Sequence, residues 1–158
     1  MPGRGEPLMA RVRGSIDIAR PVGEVFDVVA DQTNEPRYNP AMSASRRLTD
    51  GPIGVGTRFR STILTRGKPL DVEIETTGYE RPTEVASRSV MGRSTVTGAL
   101  RFDPVPSGTR LSWDWDVHVG GAGRVLGPLI AVIGRRQERA IWEGLKRYLE
   151  TGANRQHP

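Results

Sequence analysis

The stretch RVLGPLIAVIGRRQERAIWEGLKRYL, residues 124–149, decides the fold. Within it Leu126, Ile130, Ile133, Gln137, Ile141, Gly144 and Tyr148 recur at steps of three and four, which is one stripe of a helix. Beyond Gly134, Arg135, Arg136, Glu138, Arg139, Glu143, Lys146 and Arg147 fill much of the remaining circumference. About 25 helical residues span roughly 37 Å, enough to cross a small domain. Such a stripe needs apolar cover, and the large supply of apolar surface upstream is a set of alternating strands. The spacing predicts one long C-terminal helix lying across a curved antiparallel sheet.

Working back from that helix, two hairpins carry the clearest alternation. Thr109–Val119 sets Leu111, Trp113, Trp115 and Val117 on one face, and Arg93–Phe102 answers with Val96, Gly98, Leu100 and Phe102. The register those faces require puts Gly98 opposite Trp115, which leaves room for an indole. Thr57–Thr65 alternates Phe59, Ser61 and Ile63 with Arg58, Arg60 and Thr62. Leu70, Val72 and Ile74 alternate with Asp71, Glu73 and Glu75 beyond a turn at Arg66-Gly67-Lys68-Pro69. Folding about that turn brings Arg60 opposite Glu75, a pairing that helps fix register. Residues 41–48 and 84–91 alternate poorly, so the facing of Ser87 and Ser89 stays open.

The opening is different. A strand at Arg11–Ala19 is broken by Pro21, which suits the first turn of a helix. Val22, Val25, Phe26 and Val29 follow at helical spacing, and Asp31–Pro40 suggests a second, shorter helical turn. The expected order is β-α-α-β-β-β-β-β-β-α, seven strands in one continuous meander with all helices on one face.

Bulk composition narrows the function classes. The chain has 158 residues, which suits a single domain over residues 10–150, with 1–9 and 151–158 as flexible termini. It has no cysteine, so disulfides, thiolate metal sites and cysteine nucleophiles are excluded. The net charge of +5 rests on arginines that alternate with acids rather than cluster, which favours a solvated mixed-charge surface over a nucleic-acid binder. Val125–Ile133 is the most apolar run, far shorter than the ~20 residues needed to span a bilayer. The N-terminus lacks the apolar core of a signal peptide. A cytoplasmic protein with no integral membrane segment is expected, peripheral membrane contact being left open.

This arrangement resembles the START-like (SRPBCC) superfamily, and within it the bacterial polyketide cyclase/dehydrase-like branch. The resemblance is carried by Ile16-Asp17-Ile18-Ala19-Arg20-Pro21-Val22-Gly23-Glu24-Val25-Phe26, by Tyr38-Asn39-Pro40 where that family has Trp-x-Pro, and by Gly54-Val55-Gly56-Thr57-Arg58-Phe59. Gly108-Thr109-Arg110-Leu111-Ser112-Trp113 and the long last helix complete it. The resemblance implies an α+β helix-grip fold, in which a seven-stranded curved antiparallel sheet wraps on the C-terminal helix around a cavity for an apolar ligand. It does not fix a function, because members carry lipids, bind hormones, cyclise polyketides or assist chaperones.

Chemical motifs are scarce. The glycines of Gly51–Gly56 lead into a strand and not a helix, so they read as turn residues and not as a phosphate cradle. Two histidines, His118 and His157, exclude a histidine-rich metal site, and no cofactor is expected. Ligand-binding candidates are Tyr38, Phe59, Ser61, Ile63, Val72, Ile74, Ser87, Ser89, Val96, Leu100, Trp113, Trp115, Ile133 and Gln137. Paired indoles at Trp113 and Trp115 either line an apolar pocket or pack as core, and Gln137 interrupts the covered stripe with an amide that needs a partner. The resemblance places Tyr38 at the cavity mouth and Asp31 and Glu35 near the opening. Either acid acts as a general base if desolvation raises its pKa, or simply caps a helix end. The leading expectation is binding or transport of a small hydrophobic ligand such as a lipid, polyketide or isoprenoid by a monomer or weak homodimer. The rivals are a cofactor-independent cyclase or dehydratase using Tyr38, Asp31 or Glu35, and an interaction module docking through Val125–Ile133.

Overall fold

The computed structural model describes residues 8–65, 67–120 and 127–152, with side chains described for all of these but residues 8 and 127–133. Seven strands make one antiparallel sheet: β1 (Leu8–Ile18), β2 (Met42–Arg47), β3 (Arg58–Thr65), β4 (Lys68–Glu80), β5 (Glu84–Met91), β6 (Ser94–Val105) and β7 (Gly108–Val119). Helix α1 (Val22–Ala30) and a 3-10 segment (Gln32–Arg37) lie between β1 and β2, and α2 (Gly127–Glu150) ends the fold. The strand order is β1-β7-β6-β5-β4-β3-β2. The meander therefore runs only from β2 to β7. β1 pairs along its whole length with β7, and the two short helices carry the chain from one edge of the sheet to the other.

The β6–β7 register is the expected one, with Val96 opposite Val117, Gly98 opposite Trp115, Leu100 opposite Trp113 and Phe102 opposite Leu111. The β3–β4 register differs by two residues: Arg60 faces Glu73, and Glu75 faces Arg58. Thr65 already pairs with Lys68, so the connection is two residues long and Lys68 and Pro69 belong to β4. A shift of two keeps every side chain on its expected face. Arg58 and Arg60 both approach Glu73, at 3.6 and 3.8 Å. Arg11 and Arg13 on Asp114 and Arg110 on Asp17 are further exposed ion pairs, of the kind that adds little to stability.

Helix α1 starts directly after Pro21 and buries Val25, Phe26, Val29 and Ala30. The Phe26 ring meets Phe102 and Tyr79 edge-on, with centroids 5.1 and 5.3 Å apart. Full burial of one such ring contributes roughly 2–3 kcal/mol, which anchors the short helix to the sheet. In α2 the covered stripe is Trp142, Leu145 and Leu149, with Gly144 beside it. This corrects the expected stripe by one residue, or about 100° of rotation. Gln137 is exposed, Ile141 and Tyr148 are half-buried, and Glu138 turns inward. The physical reason is area: Trp142, Leu145 and Leu149 together bury more apolar surface than Ile141, Gly144 and Tyr148 could. Leu126 and the side chains of Ile130 and Ile133 lie outside the described residues, as does most of the Val125–Ile133 run.

Candidate functional site

Strand pleating places the candidate residues of β3 to β7 on one concave face. One row across the sheet reads Val12, Trp115, Gly98, Ser87 and Thr76; the next reads Ala10, Val117, Val96, Ser89, Ile74 and Phe59. Ser87 and Ser89 thus share the face of Trp115, and Ser87 is buried. Apolar burial falls into two clusters. The larger gathers α1, β1, β6, β7 and the end of α2, and the smaller holds Phe59, Val72 and Ile74 with Ile53, Ile63 and Met91 against them. Buried hydroxyls of Ser61, Thr76 and Ser87 accompany this face, and the Ser61 Oγ donates to Ser45 Oγ at 2.9 Å.

The two indoles have different surroundings. Trp113 lies over Gly14, where any Cβ would run into its ring, and stacks on Trp142 with centroids 6.2 Å apart. Arg139 lies over its ring, the guanidinium carbon 5.8 Å from the centroid. Trp113 is therefore packed as core. Trp115 faces the side-chain-free Gly98, and its Nε1 is buried with no well-formed hydrogen bond among the described residues.

Above Trp115, α2 contributes Glu138. Its carboxyl Oε2 is enclosed, and among the described residues neither it nor the buried Trp142 Nε1, one turn on, has a well-formed hydrogen bond. Loss of hydration pushes the Glu138 carboxyl up from 4.5 to about 8, and the nearby Glu35 adds to the rise. The indole N–H groups of Trp142 and Trp115 act on it as hydrogen-bond donors and favour its ionised form, but less strongly, their alignment falling short of a well-formed bond. A carboxyl in this state holds a proton near neutrality and can donate it.

The 3-10 segment closes the same end. Glu35 is raised by burial, opposed by Asn39, whose Nδ2 donates to Oε1 at 2.8 Å. The Tyr38 phenol is raised well above its usual value by burial, and then by the charges of Glu35, Asp31 and Glu138. Tyr38 is buried, not open at a mouth. Its ring packs on Trp142 and Tyr148 at 6.4 and 6.3 Å, and its carbonyl seats against Gly144, where a Cβ would collide with it. A hollow of about 480 Å³ on the outer side is lined by Pro36, Arg37, Tyr38, Pro40, Gly144, Arg147 and Tyr148.

Asp31 caps the 3-10 segment, accepting from Thr33 N at 3.0 Å and Thr33 Oγ1 at 2.6 Å. Asp31→Ala should lower stability by about 1 kcal/mol, read as a drop of a few degrees in the thermal midpoint. An unchanged midpoint would remove the capping role.

Sequence reading misses Glu138 and Trp142. It counts Glu138 with the exposed charges, and the signal that could have found it is the run 138, 142, 145, 149, with Trp142, Leu145 and Leu149 at its last three places. Among the described residues no group of three His, Cys, Asp or Glu side chains could hold a metal ion, and no helix is long and apolar enough to cross a membrane.

Comparison with known proteins agrees with this architecture. The fold is similar to a START superfamily protein from Mycobacterium smegmatis, with a TM-score of 0.78 and 17% identity, covering 89% of this chain and 97% of that one. It is similar to TTHA0849 from Thermus thermophilus, with a TM-score of 0.75, 19% identity and coverage of 90% and 98%. The Zhui aromatase/cyclase from Streptomyces sp. R1128 matches with a TM-score of 0.71, 17% identity and coverage of 88% and 95%. At these identities the likeness is one of fold. No curated protein matches as a sequence relative. Residues 9–150 match the family described as polyketide cyclase / dehydrase and lipid transport. With that match across nearly the whole sheet and its closing helix, the chain belongs to the polyketide cyclase/dehydrase and lipid transport family and has the START-like helix-grip fold.

Proposed function

We propose that this protein binds a small hydrophobic molecule, of lipid, polyketide or isoprenoid type, between the concave face of the sheet and α2. The observation that carries this reading is the concave face itself, where the Trp115 indole and the Ser87 and Thr76 hydroxyls share a row beside the apolar Val117, Val96 and Ile74. Apolar walls with a few placed polar groups suit a ligand that is mostly hydrocarbon. The family description, which names both lipid transport and polyketide chemistry, supports the same ligand class.

Native mass spectrometry of the purified protein, followed by organic extraction, tests the reading. A co-purifying apolar molecule is expected, or else saturable quenching of tryptophan fluorescence by added lipid or aromatic probes. An empty protein whose fluorescence ignores every probe would overturn it.

A cyclase or dehydratase acting in the same space is the second reading, favoured by the half-buried acids Glu138 and Glu35, both held above the usual carboxyl range by loss of hydration. Glu138 replaces Asp31 as the acid with the best placement, since Asp31 is engaged as a cap. Turnover that survives both Glu138→Gln and Glu35→Gln would remove these acids from any such chemistry.

A further inference from the structure

Among the described residues three clustered polar atoms of the interior lack a well-formed hydrogen bond: Trp115 Nε1, Trp142 Nε1 and Glu138 Oε2, the two indoles acting on the carboxyl only as misaligned donors. Each is enclosed, and the two indole nitrogens lie beside the same carboxyl. A buried polar group without a well-formed hydrogen bond is costly, so this misaligned cluster is a local deficit of hydrogen bonding. Their chemistry states what would satisfy them. An indole N–H has no lone pair and can only donate, and a protonated carboxyl brings a third donor.

We propose that Trp115, Trp142 and Glu138 form a polar anchor for one neutral oxygen, a carbonyl or hydroxyl, on an otherwise apolar ligand. This rests on the ligand-binding reading above and specifies its substrate class. An oxygen with two lone pairs can accept from two of the three donors at once. An ammonium group would leave both indole N–H groups unmatched. A carboxylate or phosphate would sit against Glu138 with Glu35 nearby, and among the described residues no Lys or Arg pairs with Glu138 to offset that charge. The remaining surroundings fit an apolar body: Val96 and Val117 lie in the row beside Trp115. Of the remaining candidates, the groove of about 560 Å³ on the outer face is lined by Arg58, Arg60, Arg88, Glu73 and Glu75, already paired in part among themselves.

The test is a matched pair of probes, 2-acetylnaphthalene and 2-ethylnaphthalene, which differ in the oxygen and little in size. Binding is followed by tryptophan fluorescence and by calorimetry at pH 6.5. The ketone is expected to bind at least tenfold tighter to the wild type. Trp115→Phe and Trp142→Phe each keep a ring and lose a donor, and each should cut that preference severalfold while hydrocarbon affinity holds. Glu138→Gln, which still has an N–H to give, should retain more of the preference than Glu138→Leu. Equal affinity for the two probes, or a preference untouched in every folded variant, overturns the anchor and leaves the cavity standing. Failure of both probes to bind overturns the anchor together with the cavity. Tighter binding of 2-naphthylmethylamine than of the ketone would assign the carboxyl to a cation and overturn the proposal.

Discussion

Glu138→Gln is expected to raise the thermal midpoint by about 10 °C at pH 9 and to leave it nearly unchanged at pH 4.5. The sign follows from proton linkage. In the folded protein Glu138 keeps its proton up to about pH 8, whereas the unfolded chain releases it near 4.5. Between those values the folded state binds more protons, so stability falls as pH rises and the loss is complete above about 8. A rise from 4.5 to about 8 corresponds to roughly 5 kcal/mol, a large fraction of the stability of an ordinary domain. Glu35, also raised by burial, acts in the same direction. The amide introduced by Glu138→Gln keeps the shape and removes the charge, so the variant should show a flatter profile across this window. Thermal melts of both proteins from pH 4.5 to 9 decide the matter. Parallel profiles would mean that Glu138 reaches water in the folded protein, and with that the enclosed carboxyl would be lost as a site.

Where the sequence could be read, and where it could not, has a common physical basis. The β6–β7 pairing was legible because Leu111, Trp113, Trp115 and Val117 leave one register that buries them all, and Gly98 opposite Trp115 was part of that solution. The Arg60–Glu75 pairing failed because charge alternation is indifferent to a slip of two residues; the short connection ending at Lys68 decides it. The edge partner of β1 was not legible at all. Alternation states which face is buried, not which neighbour lies beside it. The α2 stripe departs from its expected course at Gln137 because small and polar residues can continue an apolar period in sequence, which leaves Glu138 among the solvent-facing charges. A charged residue on a covered face reads as exposed until the sheet beneath it is in place. Ser87 and Ser89 likewise acquired a face only through pairing with Gly98 and Val96.

Gly98→Ala is expected to cost about 3 kcal/mol or more, although alanine in place of glycine within a strand ordinarily stabilises by roughly 0.5–1 kcal/mol. Two features reverse the usual sign. Gly98 has φ of +152°, a conformation that residues with a Cβ rarely adopt. A Cβ there would also collide with the carbonyl of Asp114 and lie 2.9 Å from Cε3 of Trp115. The carbonyl belongs to the central β6–β7 ladder and cannot withdraw without breaking that pairing. The indole can move, but only by leaving its seat next to Gly98. Urea denaturation of Gly98→Ala, with and without Trp115→Ala, separates the two contributions. The second change should recover only the part due to the ring, leaving most of the deficit in place. Full recovery would show that the indole alone forbids a side chain here, and a Gly98→Ala protein as stable as the wild type would mean that the strand relaxes freely at this point. In the expected case, any Gly98→Ala protein that folds should also lose affinity for apolar probes, because the Trp115 indole that lines the proposed site is pushed from its seat.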